Sequence, residues 1–158
     1  MVITIIGTPK DVEEVYFGEN GLLENADKGT YLVDMTTTSP KLAERIYEEA
    51  KNKGLYALDA PVTGGDKGAK EGTLTILAGG DKEVFDASFP VFEKMGKTIV
   101  YEGKAGNGQH TKMCNQIAVA GALSGITEAL VYAKNAGLDT KLMIAHFCML
   151  SVSCFSLV

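Results

Sequence analysis

Apolar and polar positions along the chain fall into alternating short and longer segments. Val2 to Ile6 is β-branched at every residue and apolar except at Thr4, the pattern of a strand buried on both faces of a parallel sheet. Gly7 and Pro9 end it. It reads as a core strand rather than an edge. Asp11 to Phe17 is a short amphipathic segment, and the polar loop ENADKG leads into a second apolar strand, Tyr31 to Met35. In TTTSP, Ser39 is a good N-cap and Pro40 suits the first helical position. The following Lys41 to Lys53 carries Leu42, Ile46 and Ala50 at helical spacing, and Gly54 sits where a helix-terminating glycine belongs. Leu55 to Ala60 predicts a third strand, running into PVTGG. Strand-then-helix units with short connections predict an α/β fold with right-handed crossovers.

The second half predicts a strand at Thr73 to Ala78 and a helix from Asp81 to Met95, capped by Asp81, with Phe85, Phe89 and Phe92 on one face. Pro90 lies inside that helix and predicts a kink or break. Thr98 to Tyr101 is a last strand. From Gln109 to Asn135 there is no proline and glycine only at Gly121 and Gly125, so the pattern predicts a helix longer than a compact domain usually holds. Such a helix bridges two bodies. Gly137 closes it, Thr140 to Leu150 begins another helix, and CMLSVSCFSLV at the end shows no helical period. The predicted division is 1–105 for a sheet domain and 106–158 for the long helix and the start of an all-helical domain.

Composition narrows the function classes. The chain has 158 residues, 46% of them hydrophobic, which is enough for one globular core. Its net charge of -5 with scattered lysines argues against nucleic acid or an anionic membrane as partner. Three cysteines, Cys114, Cys148 and Cys154, with no CxxC and no histidine pair, argue against a zinc site or a disulfide framework and fit a reducing cytoplasm. The N-terminal apolar run is too short for a signal sequence, and no apolar stretch is expected to span a bilayer.

Ligands of parallel sheets bind beyond the carboxyl ends of the strands. The segments placed there are GTPKD, TTTSP, PVTGGDKG and GKAGNG, all rich in residues whose backbone N–H groups can approach a ligand closely. Lys112 lies about one turn into the long helix, near its positive end and beside Cys114, Ile117 and Ala118. Desolvation and that positive end both lower a lysine pKa, as general acid/base work near neutrality requires. Asn115 and Gln116 follow at three and four residues, on the same helical face. A cation and two amides together make a receptor for a hydroxyl or carbonyl oxygen next to a carboxylate.

Other chemistries fit poorly. His110 and His146 have no partner at metal spacing, Asp59 at a strand end is expected to fix a turn, and no GxSxG elbow, Walker A loop or histidine-activated cysteine is present. GKAGNG spaces its glycines GxxGxG rather than the dinucleotide GxGxxG.

DMTTTSP (Asp34 to Pro40), DAPVTGG (Asp59 to Gly65), EGTLTILAGGD and GNGQHTKMCNQ, in that order, resemble successive signatures of the β-hydroxyacid dehydrogenases, the group of 3-hydroxyisobutyrate dehydrogenase and tartronate semialdehyde reductase. The resemblance runs from Val2 to about Asp139. It implies the C-terminal part of a Rossmann-like doubly wound sheet followed by an interdomain helix, and NAD or NADP as cofactor for interconverting a small 3-hydroxy acid and its semialdehyde. It implies Lys112 as the catalytic lysine, Thr63, Gly64 and Gly65 around the substrate carboxylate, and Asn115 with Gln116 orienting the substrate. Ile6, Gly7, Thr8 and Thr37 would face the nicotinamide half of the cofactor. The family usually has serine where Thr63 stands. The GxGxxG loop, the strand that selects NAD or NADP, and a later family lysine have no counterpart here, so the chain is expected to be truncated at both ends, with an altered tail. Exposed apolar elements then predict a homo-oligomer such as a dimer. Two alternatives stand beside this reading: an inactive fragment serving as a binding or oligomerisation module, and a 6-phosphogluconate dehydrogenase-like enzyme, against which Asn115 argues because that branch carries histidine there.

Overall fold

The computed structural model describes residues 1–154. The first unit, Met1–Cys114, is built on a six-stranded sheet, and the second begins at Asn115. Strands β1 (Val2–Thr4), β2 (Tyr31–Asp34) and β3 (Tyr56–Asp59) pair in parallel, so their carboxyl ends share one rim. Helix α1 (Pro9–Phe17), the single-turn α2 (Leu22–Asn25) and α3 (Pro40–Asn52) connect them. α3 starts as expected: Ser39 Oγ accepts from Leu42 N, and Pro40 opens the helix. It ends on Gly54 at φ +73°, where Gly54 N bonds Lys51 O and Leu55 N bonds Ala50 O, a Schellman close that needs the left-handed glycine.

The α/β fold is the expected one, and beyond β3 its sheet becomes mixed. Strand β4 (Val62–Thr63) continues the line of β3 after Ala60 and Pro61, and both pair antiparallel with β5 (Leu74–Gly80) in one unbroken register. The short helix α4 (Gly65–Glu71) is therefore the loop of a hairpin, not a crossover. Only β6 (Gly96–Gly103) returns parallel, beside β5 after helix α5 (Lys82–Phe92). Periodicity reports that a segment is extended but not which way its neighbour runs.

Two expectations fail in this unit. β1 pairs only with β2 among the described strands and stands at the sheet edge, with Ile3 37% and Ile5 64% exposed. Its apolar run resembles that of a central strand, but burial depends on what lies alongside. Pro90 does not break α5: it sits in the last turn, and the helix ends two residues later at Phe92. Asp81 occupies the N-cap without a side-chain cap bond, because its carboxylate accepts from the Tyr47 hydroxyl instead.

Both sheet faces are apolar layers. On one, α5 delivers Val84, Phe85 and Phe92 onto Val33, Leu58, Ile76 and Ala78, with Phe85 in ring contact with Phe89, Phe92 and Tyr101. On the other, α1 and α3 deliver Val12, Tyr16, Ile46 and Ala50 onto Leu32 and Ala57. The 29-residue α6 (Asn107–Asn135) begins in the first unit, and α7 (Thr140–Cys154) follows Gly137, at φ +75°. α7 stays helical to Cys154 where an aperiodic tail was expected, and the last four residues lie outside the described ones. By length and composition α6 is apolar enough to cross a membrane, with a mean hydropathy of 1.3 over its most apolar 18 residues. That corrects the expectation that no stretch could. Ile117, Leu123, Val131 and Tyr132 on α6 are all exposed.

Candidate functional site

Buried polar side chains cluster on the rim where β1, β2 and β3 end. Tyr16 OH lies 2.9 Å from Thr4 Oγ1, which donates to Asp34 Oδ1 at 3.1 Å. The same oxygen accepts from Thr36 N at 3.0 Å, and Thr36 Oγ1 accepts from Ile6 N at 2.9 Å. This network binds the end of β1 to the TTTSP loop. Burial raises the pKa of Asp34, with the Thr36 and Thr4 hydrogen bonds opposing it, and burial beside Asp34 raises that of Tyr16.

The start of α6 is fastened to the rim in two ways. Asp59, at the end of β3 and 5% exposed, accepts from Gly106 N at 2.8 Å and Gln109 N at 2.9 Å. Its carboxylate thus takes up two of the free N–H groups at the positive end of the helix. Burial lifts its pKa to about 6, against the lowering effect of those two N–H donors. Such proximity requires glycine. A Cβ on Gly108 would lie 2.3 Å from Leu77 O and 2.8 Å from Asp59 O, and one on Gly79 would lie 2.7 Å from Asp59 Oδ1. The glycines of GKAGNG therefore seat the helix on the sheet, and an internal carboxylate fills the place a phosphate would take. The second fastening is Gln109, fully buried, whose Oε1 accepts from Thr38 N at 2.9 Å and whose Nε2 donates to Thr36 O at 2.8 Å.

Lys112 follows one turn later, 6% exposed, with no hydrogen bond or ion pair among the described residues. Burial lowers its pKa below the ordinary lysine value. Thr37 is exposed between the two residues that Gln109 holds, and Thr38 Oγ1 is the buried side-chain atom left without a partner among the described residues.

The remaining sequence-predicted residues divide. Thr8 is committed locally: it caps α1, its N–H bonding Asp11 Oδ2 at 2.6 Å and its hydroxyl accepting from Asp11 N. The Ile6 N–H is likewise engaged, by Thr36. Thr63 ends β4, Gly64 caps α4 at φ +126° and Gly65 follows at φ +60°. A Cβ built on Gly65 meets nothing within 4 Å, so its backbone faces open space. Asn115 and Gln116 lie beyond the division after Cys114 and bond each other, Asn115 Nδ2 to Gln116 Oε1 at 3.0 Å. A cavity of about 430 Å³ lined by Glu14, Val15, Gly18, Glu19, Asn20, Gly21 and Leu22 includes none of these residues. The expectation that Asp59 fixes a turn at its strand end is corrected, because its carboxylate caps the remote start of α6, and the sequence reading passed over Gln109. Its signal was an amide in the first turn of the helix, three residues before Lys112 and so on the same face.

The NAD binding domain of 6-phosphogluconate dehydrogenase matches residues 1–103 as a family model. The NAD-binding domain of NADP-dependent 3-hydroxyisobutyrate dehydrogenase matches residues 106–148. The chain belongs to the β-hydroxyacid dehydrogenase family. Within that family it is 58% identical over 141 residues to the uncharacterised oxidoreductase YkwC of Bacillus subtilis, covering 89% of this chain and 49% of the relative. It is 46% identical over 137 residues to 2-hydroxy-3-oxopropionate reductase of Escherichia coli, covering 87% and 47%. A solved structure of Mycobacterium tuberculosis 3-hydroxyisobutyrate dehydrogenase with L-serine superposes with a TM-score of 0.79 at 36% identity, over 87% of this chain and 46% of that one. The chain spans about half the length of the curated relatives it matches.

Proposed function

We propose that this chain carries the proton-handling half of an NAD(P)-dependent β-hydroxyacid dehydrogenase that interconverts a small 3-hydroxy acid and its semialdehyde. Lys112 is the general acid/base. The observation that carries the reading is an almost fully buried lysine of lowered pKa, without a hydrogen bond or ion pair among the described residues, one turn from the rim where β1, β2 and β3 end.

The rim fits the nicotinamide half of the cofactor: Thr37 is exposed, the Thr38 hydroxyl is buried and unpartnered, and both lie in a loop held at two points. Thr37 with the backbone at Gly7 would hold it, whereas Thr8 serves α1. When bound, the nicotinamide accepts the hydride in oxidation and supplies it in reduction. In oxidation the neutral Lys112 amine would take the proton from the hydroxyl oxygen as the hydride leaves the carbon that bears it, and in reduction the ammonium would return a proton to the new alkoxide oxygen. The open backbone at Gly65, next to Thr63 and Gly64, would receive the substrate carboxylate, and Asn115 and Gln116 would orient the substrate.

The test is turnover of 3-hydroxyisobutyrate and glycerate by the 158-residue chain, followed through reduced-nicotinamide absorbance. Loss of general acid/base catalysis in Lys112→Ala is expected to lower the rate about 10²–10⁴-fold. Equal rates in both proteins would remove Lys112 from the mechanism. An inert binding module is the second reading, favoured by the exposed apolar residues of α6, and no turnover in the wild-type chain would select it.

A further inference from the structure

We infer that Gln109 is a positioning residue, whose amide holds the loop carrying Thr37 in register with Lys112. The inference rests on the function proposed above, because it concerns how the cofactor-side loop and the proton-handling lysine keep their relative places.

The geometry is a two-point clamp. Gln109 Oε1 accepts from Thr38 N at 2.9 Å while its Nε2 donates to Thr36 O at 2.8 Å, so one planar amide pairs with the backbone on either side of Thr37 as a neighbouring strand would. Successive residues of an extended segment point to opposite sides. Pinning Thr36 and Thr38, both buried, leaves Thr37 exposed between them. The clamp arises from the first turns of α6, and Asp59 holds the Gln109 backbone N–H at 2.9 Å, so the side chain has a fixed base. Lys112 is three residues further along the same helix and lies on the same face. Loop and lysine are thus referred to one side chain. A packing role alone would be served by any apolar group of this size. A fully buried amide with one acceptor and one donor spent on a single loop is a costly group to bury unless its bonds matter.

The clamp has a chemical test. A protonated carboxyl reproduces the donor and acceptor pattern of an amide, whereas a carboxylate offers two acceptors and repels the Thr36 carbonyl. Gln109→Glu should therefore be defective at pH 8 and restored in acid, and Gln109→Leu defective at both. The titratable groups around the position are Asp59 and Asp34 on the rim and Lys112 on α6, so the wild-type chain is measured at each pH and variants are given as ratios to it. Rates are taken in the reducing direction, with stability by urea at each pH to correct for unfolded protein. Misplacement on the scale of 1 Å can cost a factor of about 10². The expectation is a fall of about 10–100-fold in kcat with substrate KM within about threefold for Gln109→Leu, and recovery of the Gln109→Glu ratio to within about fivefold at pH 5.5. Unchanged kcat in both variants, or a loss that acid does not reverse in Gln109→Glu, overturns the inference while leaving the role of Lys112 intact. If the wild-type chain gives no turnover, the proposed function fails and the clamp is judged by NADH fluorescence titration. Weaker binding in Gln109→Leu, with acid-restored binding in Gln109→Glu, then supports it, and equal affinities overturn it.

Discussion

Asp59 joins the end of β3 to the start of α6, and Asp59→Asn isolates what its charge does. In the wild-type fold its two oxygens accept from Gly106 N and Gln109 N. The substituted amide keeps one acceptor and turns an NH₂ toward the other donor, leaving a buried N–H unpaired at a cost of about 1–3 kcal/mol. The second effect depends on pH. Burial raises the Asp59 pKa from 3.8 to about 6, so the folded state holds this proton more tightly than the unfolded chain does. Stability from this group is greatest in acid and is lost as pH rises from the unfolded value through the folded one. The shift corresponds to about 3 kcal/mol between the two ends of that window. Asparagine removes the titration. The variant should therefore be less stable by about 1–3 kcal/mol near pH 4, where the wild-type carboxyl is also neutral, and the deficit should close or reverse, by up to about 3 kcal/mol, as pH rises above 7. The raised pKa of Asp34 acts with the same sign in both proteins, and its charge is the smallest of the causes that shift Asp59. The assay is urea unfolding of both chains at half-unit pH steps, with equal m-values as the check that compactness is unchanged. Parallel stability curves across pH 4–7 would refute the buried, helix-capping carboxylate.

Gly108→Ala places a methyl 2.3 Å from Leu77 O and should cost about 1–3 kcal/mol or more through overpacking, read by the denaturation midpoint; a neutral substitution would show that the α6 turn sits further from the sheet. Phe92→Ala, at a fully buried position, should cost about 3–5 kcal/mol in the same assay, and a loss below 1 kcal/mol would contradict the packing of α5 on the sheet. The exposed apolar residues of β1 and α6 predict self-association, seen as a mass that rises with concentration in sedimentation; a stable monomer at all concentrations would count against it. The chain carries no GxGxxG loop, so calorimetry should give NAD and NADP affinities weaker than micromolar, and a micromolar or tighter value would contradict that.

Local chemistry made much of this legible in advance. Ser39 with Pro40 starts α3 and Gly54 closes it because caps and left-handed glycines act within a few residues. The three phenylalanines of α5 share a face because 3.6-residue periodicity is written into their spacing. Lys112 stood out by its place near a helix start, but the apolar residues read beside it, Cys114, Ile117 and Ala118, are exposed, so its burial does not follow from them. Only the tertiary structure decided strand direction, which turned the segment after β3 into an antiparallel hairpin, and edge position, which left β1 half-exposed. Both depend on pairing partners remote in sequence. The same holds for the site: Asp59 lies 50 residues from the N–H of Gln109, and Gln109 lies 73 from the carbonyl of Thr36. Side-chain type gave each residue its hydrogen-bonding capacity, and the folding of distant segments onto one rim chose the partner.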